Sequence, residues 1–198
     1  MKIDNERTEA DLIRDALFLA ASRTYGEQYI EPLVRHKLGL FETDGDDYDA
    51  EASDGISYEI KASKVMRKKP RRKGSEPILE RIKNELPESQ LTRYFDYSKR
   101  FIENYDANIQ NVKRDHFDKL IYVLLFKDCI RVYSADVSTI SHEGLPGWSD
   151  KHGRYDQLGM SGQFNITNSR IKWHDSNNFL LEMGYAEAVE IYRQIGVE

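Results

Sequence analysis

The chain has one cysteine, Cys129, among 198 residues. One thiol excludes a disulfide framework and any CxxC zinc site, and an unpaired thiol suits a reducing compartment. There is also no long apolar run. The longest, Leu120–Phe126, is far too short to span a bilayer. The N-terminus MKIDNERTEADLIRD is polar and has no apolar stretch behind a basic start, so it does not read as a secretory signal. A soluble, cytoplasmic protein with no membrane partner is expected. A basic excess is missing too: 29 Lys and Arg stand against 34 Asp and Glu, a net charge of −5, whereas nucleic-acid binders usually carry a positive balance. No HExxH pair, GxxxxGK[ST] loop, GxGxxG fingerprint or GxSxG elbow occurs. Zincin chemistry, nucleotide hydrolysis by a phosphate loop, dinucleotide binding and the α/β-hydrolase triad are therefore unsupported.

An apolar fraction of 39% with 11% aromatics is enough for a core, and this length fits one domain over residues 1–198. The net charge hides an uneven distribution. Residues 61–73, KASKVMRKKPRRK, hold eight basic residues and no acidic one, so −5 is the sum of +8 here and −13 elsewhere. The acidic run Glu42-Thr-Asp44-Gly-Asp46-Asp47-Tyr-Asp49-Ala-Glu51 lies immediately upstream.

Thr8 with Asp11 reads as a capping box, followed by a helix over Glu9–Ser22. A second helical piece over Tyr25–His36 is perturbed at Gly26 and Pro32. Tyr48–Ala52 and Ile56–Ala62 read as strands. Residues 61–77 form a basic loop containing Pro70, Gly74 and Pro77. Helical spacing resumes over Ile78–Leu86 and Ser89–Tyr105. Lys119–Phe126 reads as a central buried strand, with Cys129–Ser134 as its neighbour. Gln163–Trp173 suggests one or two further strands, and Asn178–Ile195 a terminal helix. The expectation is a mixed α/β (α+β) domain with a mixed central sheet flanked by helices.

The segment over residues 47–62 carries the chemistry. A three-residue turn Ser53-Asp54-Gly55, with Gly55 left-handed, opposes Ala50 to Tyr58 and Asp49 to Glu59. One face then holds Ala50, Ala52, Ile56, Tyr58 and Ile60. The other holds Asp49, Glu51, Ser57, Glu59 and Lys61. A two-residue Asp54-Gly55 turn would mix polar and apolar groups on both faces, which disfavours it. Opposed carboxylates repel unless a cation sits between them. Hard oxygen ligands suit Mg²⁺, and an adjacent lysine can orient water or stabilise transition-state charge.

Asp49 followed by Glu59-Ile60-Lys61, with nine residues between the acids, resembles the PD-(D/E)xK nuclease superfamily, although Tyr48 stands where the motif has proline. The firm resemblance covers residues 44–64. It implies a restriction-endonuclease-like fold and Mg²⁺-dependent DNA hydrolysis, with Asp49, Glu59 and Lys61 catalytic and Asp49 and Glu59 binding the metal. Members often add an acid from the N-terminal helix, for which Glu27, and after it Glu31, are the candidates. A compact chain without helicase motifs is most similar to a type II restriction endonuclease acting as a homodimer on double-stranded DNA. A Holliday-junction resolvase, a repair nuclease or a non-catalytic DNA-binding domain are the alternatives. Phosphate contacts are expected from Lys64, Arg67, Lys68, Lys69, Arg71, Arg72 and Lys73. The loop around Trp148, with His142, Lys151, His152 and Arg154, reads either as a base-contacting element or as a surface loop anchored by its tryptophan. The polar run Asn165, Asn168, Ser169 and Arg170 reads equally as a hydrogen-bonding contact segment or as ordinary surface.

Overall fold

The computed structural model describes residues 7–21, 24–43, 47–68, 77–83, 86–150 and 161–195. The described helices are α1 (Glu9–Leu19), α2 (Glu31–Leu38), α3 (Ile78–Lys83), α4 (Pro87–Leu91), α5 (Ile171–Asn177) and α6 (Tyr185–Gln194). The strands are β1 (Phe41–Glu42), β2 (Ala50–Glu51), β3 (Ser57–Lys64), β4 (Ala107–Val112), β5 (Lys119–Leu125), β6 (Ile130–Asp136), β7 (Gly162–Ile166) and β8 (Phe179–Met183). Six of them make a mixed sheet in the order β1-β2-β3-β5-β6-β8, with β3 and β5 parallel and the other pairs antiparallel. β4 and β7 pair separately. No described helix is long and apolar enough to cross a membrane.

The apolar run of β5 is explained by burial on both faces. Ile121, Val123 and Leu125 join Ala50, Ile60, Leu17, Phe18, Leu33, Val34, Ala188 and Ile191 beneath α1, α2 and α6. Leu120, Tyr122 and Leu124 point the other way, into a core closed by β4, β7 and α5 through Ile109, Val112, Phe164, Ile166 and Ile171. Each pair of alternate β5 residues thus feeds a different layer of a mixed α/β arrangement.

α1 begins on the expected capping box. Thr8 Oγ1 accepts the Asp11 N–H at 3.2 Å, and Asp11 Oδ2 accepts the Thr8 N–H at 3.2 Å. Thr8→Ala should destabilise the protein by about 1 kcal/mol, read as a lower urea midpoint at unchanged m-value. The second helical piece is a π-helical stretch, Thr24–Ile30, running into α2 with Pro32 in its first turn, where a missing N–H costs nothing.

Several segments differ from the sequence expectation. Ser89–Tyr105 is not one helix. α4 ends at Leu91, and a 3₁₀ turn at Tyr97–Lys99 is the next regular piece. Tyr94 stacks on Phe18 at 3.7 Å in one core, while its neighbour Phe95 enters the other. Adjacent side chains aimed at opposite layers require extended backbone. Gln163–Trp173 gives only β7. Ile171 and Trp173 lie on α5, where Ile171 and His174 are buried one turn apart. Asn178–Ile195 is split by Gly184 into the edge strand β8 and α6. β4, for which no strand was expected, covers one face of β3.

Candidate active site

The hairpin has the three-residue-turn register. Ala50 pairs with Tyr58 and Glu51 with Ser57, the Ala52 N–H donates to Ile56 O at 3.0 Å, and Gly55 sits at φ +82°. β2 leaves β3 immediately before this ladder. The Asp49 N–H still reaches Tyr58 O at 2.9 Å, but the next β3 donor, the Ile60 N–H, is taken by the Asp49 carboxylate at 2.7 Å. A side chain thus replaces a strand at the point where the hairpin opens, and the Asp49 carboxylate is fixed in place.

Lys61 lies two residues on, so alternation puts its side chain on the Glu59 face. Its ammonium contacts Glu59 Oε1 and lies 3.4 Å from Asp49 Oδ2. Glu59 is only 8% exposed. Burial is the main force raising its pKa, opposed by Lys61 and reinforced by Asp49. Burial also works against the Lys61 ammonium, but Glu59 and Asp49 overcome it and hold its pKa above the usual lysine value.

Of the two helix acids, Glu31 at the start of α2 is part-buried and feels both Asp49 and Lys61. Burial first, and then repulsion from Asp49, push its pKa up to about 7. Glu27 is exposed, and its contribution is a further repulsion on Glu31. Glu51 is held by the Tyr48 hydroxyl at 2.7 Å, and Ser57 is clamped to Asp118.

The basic residues nearest the hairpin are already engaged. The Lys64 ammonium donates to Phe18 O at 2.9 Å and to Ala20 O, and lies 4.3 Å from the Tyr25 ring centroid. It supplies the positive group that the last turn of α1 lacks. Desolvation there lowers its pKa to about 8. Arg67 forms a two-pronged pair with Glu103, both contacts at 2.7 Å, and caps Thr92 O at 3.0 Å. Lys68 is exposed, with Asp106 at 3.6 Å. Lys69, Arg71, Arg72 and Lys73 lie outside the described residues, as do Lys151, His152 and Arg154. Trp148 is buried and donates to Asp150 at 2.8 Å, which also holds His142 at 2.9 Å. That tryptophan anchors its loop. Asn165 is bound by Arg170.

Among the described residues, no group of three or more His, Cys, Asp or Glu side chains is placed to hold a metal ion. Asp49 and Glu59 instead share one ammonium. Two hard carboxylates already sharing a cation fit Mg²⁺, which commonly takes one or two carboxylates and completes its shell with water and substrate phosphate. Comparison with family models, with curated proteins and with solved structures gives no match.

Proposed function

We propose that this protein is a Mg²⁺-dependent endodeoxyribonuclease of restriction-endonuclease-like fold. The observation that supports this most is the Asp49–Lys61–Glu59 cluster at the opening of a β-hairpin, with Asp49 locked by the Ile60 N–H. Asp49 and Glu59 would hold Mg²⁺, which when bound supplies Lewis acidity toward phosphodiester and water. Lys61 would place its ammonium beside the phosphoryl oxygens and stabilise the charge that grows there in the transition state. Glu31, with a pKa near 7, is suited to accept a proton from water at neutral pH. The best-fitting class is a type II restriction endonuclease acting as a homodimer on double-stranded DNA, one strand cut per subunit.

The test is incubation of plasmid DNA with the protein and Mg²⁺. Cleavage that stops with EDTA, and that Asp49→Ala loses while keeping its circular-dichroism spectrum, is the expected result. A discrete fragment ladder indicates site-specific restriction, and preference for four-way junctions indicates a resolvase instead. No metal-dependent cleavage of duplex, single-stranded or junction DNA would overturn the nuclease reading.

A further inference from the structure

We propose that Lys113 binds a backbone phosphate of the nucleic-acid strand that enters the Asp49–Glu59–Lys61 site. The inference rests on the nuclease reading above and adds a substrate contact outside its motif. Four observations carry it.

The first is placement. Lys113 follows β4 directly, and β4 packs against β3. The six-residue connection from Lys113 to Asp118 is tied to both arms of the catalytic hairpin. His116 Nδ1 lies 2.9 Å from Asp47 Oδ1, two residues before Asp49. Asp118 Oδ2 accepts from the Ser57 N–H at 3.0 Å and the Ser57 hydroxyl at 2.8 Å, two residues before Glu59. The Asp118 N–H donates back to Ser57 O at 3.1 Å. The connection is therefore held along the hairpin, from Asp47 ahead of Asp49 to Ser57 just after the turn.

The second is a backbone irregularity that aims it. The β4–β7 register shifts between Ile109 and Val112, and Asn111 sits at φ +57°. It is the one non-glycine residue with positive φ among those described. Bulges re-aim the residues that follow them, and strained backbone of this kind concentrates at functional sites. The 3₁₀ turn Arg114–His116 then closes with the His116 N–H on Lys113 O at 3.1 Å.

The third is availability. Every other described cation around the hairpin is occupied: Lys61 by two carboxylates, Lys64 by helix carbonyls, Arg67 by Glu103, Arg35 by Glu42 at 3.0 Å, Arg114 by Asp150 at 3.1 Å and Lys119 by Asp136 at 3.6 Å. Lys113 is exposed and pairs with no acid among the described residues.

The fourth is charge. The Lys113 ammonium acts on the Glu59 carboxylate with the same sign as Lys61. A hydrated, flexible ammonium is a good point-charge partner for phosphate, and contacts of this type fix the register of a duplex on a protein without reading its sequence.

The test is binding of a short duplex DNA in EDTA, followed by fluorescence anisotropy over a salt series, for the wild type and Lys113→Gln, Lys113→Arg and Lys37→Gln. Lys37 pairs with Glu187 on the α2–α6 side and is the control. Lys113→Gln should reduce the magnitude of the log Kd against log salt slope by about 0.9. Lys113→Arg should restore it, and Lys37→Gln should leave it unchanged. In Mg²⁺, the loss in kcat/KM should fall on KM, with kcat held within about twofold, because the contact is made equally in ground and transition states. An unchanged slope in Lys113→Gln overturns the proposal. If wild type binds and cleaves while that slope is unchanged, only the Lys113 role falls. If wild type binds without cleaving, the slope still decides Lys113 while the nuclease reading falls separately. If wild type binds no duplex at any salt, the Lys113 role falls, and the nuclease reading is decided by the cleavage assays on single-stranded and junction DNA.

Discussion

Replacing Lys61 with alanine is expected to lower Mg²⁺-dependent DNA cleavage by roughly 10²–10⁴-fold and to make the stability of the fold depend on divalent cation. The two effects share one cause. Lys61 is the ammonium between Asp49 and Glu59. The Ile60 N–H keeps the Asp49 carboxylate in position without it. Glu59, 8% exposed, is left facing Asp49 without the ammonium that sits between them. Removing one partner of a buried ion pair costs about 3–5 kcal/mol, and protonation of Glu59, whose pKa burial already raises, relieves part of that. Melting in EDTA should therefore fall in Lys61→Ala, and added Mg²⁺ should raise it more than it raises the wild type, in which Lys61 competes for the same carboxylates. Scanning calorimetry over a Mg²⁺ series reads the second effect, and plasmid nicking reads the first. Wild-type cleavage by this variant would remove Lys61 from the mechanism.

The hairpin was legible because a period of two leaves few ways to sort Ala50, Tyr58 and Ile60 from Asp49, Glu59 and Lys61. What the alternation could not give was the departure of β2 from β3, which makes Asp49 a substitute for a backbone acceptor. β4 was illegible for a related reason. Ala107 and Ile109 keep the period, but the bulge at Asn111 puts Val112 one residue late. Lys113, which follows that slip, had no local signal.

Charge was the least readable property. The basic run suggested a row of phosphate contacts, but two of its members close contacts within the fold. Lys64 ends α1, and Arg67 ties β3's exit to Glu103 and the carbonyls after α4. Composition cannot tell a cation facing solvent from one facing a helix terminus. Choosing between Glu27 and Glu31 needed the π-helical turn, because a π turn shifts which face the following residues present. A regular helix continued from Tyr25 would have carried the two acids, four residues apart, on one face.

Acid should unfold the protein partly through His174, a residue with no role in the proposed site. His174 is fully buried, stacked near Phe164, and its Nδ1 meets the Tyr122 hydroxyl at 2.8 Å. The Tyr122 hydroxyl also accepts from the Asn178 amide at 2.9 Å. Nε2 is buried with no partner. Burial pushes the pKa from 6.5 down to about 4, with Asp175 opposing. Between those values the unfolded chain binds a proton that the folded chain does not. The stability contributed by the neutral ring is thus complete above about pH 6.5 and is lost as pH falls toward 4, by an amount on the order of 3 kcal/mol. Glu31 acts in the opposite sense. Its folded pKa is raised from 4.5 to about 7, so its contribution is complete below 4.5 and is lost as pH rises through 7. The two partly cancel in the wild type. His174→Phe separates them: it keeps the aromatic packing, removes the titration, and leaves the Tyr122 hydroxyl without its imidazole partner at a cost of about 1 kcal/mol. Urea unfolding should find this variant less stable than wild type near pH 8 and more stable near pH 4.5. Parallel pH profiles for the two proteins would show that His174 does not titrate in this window.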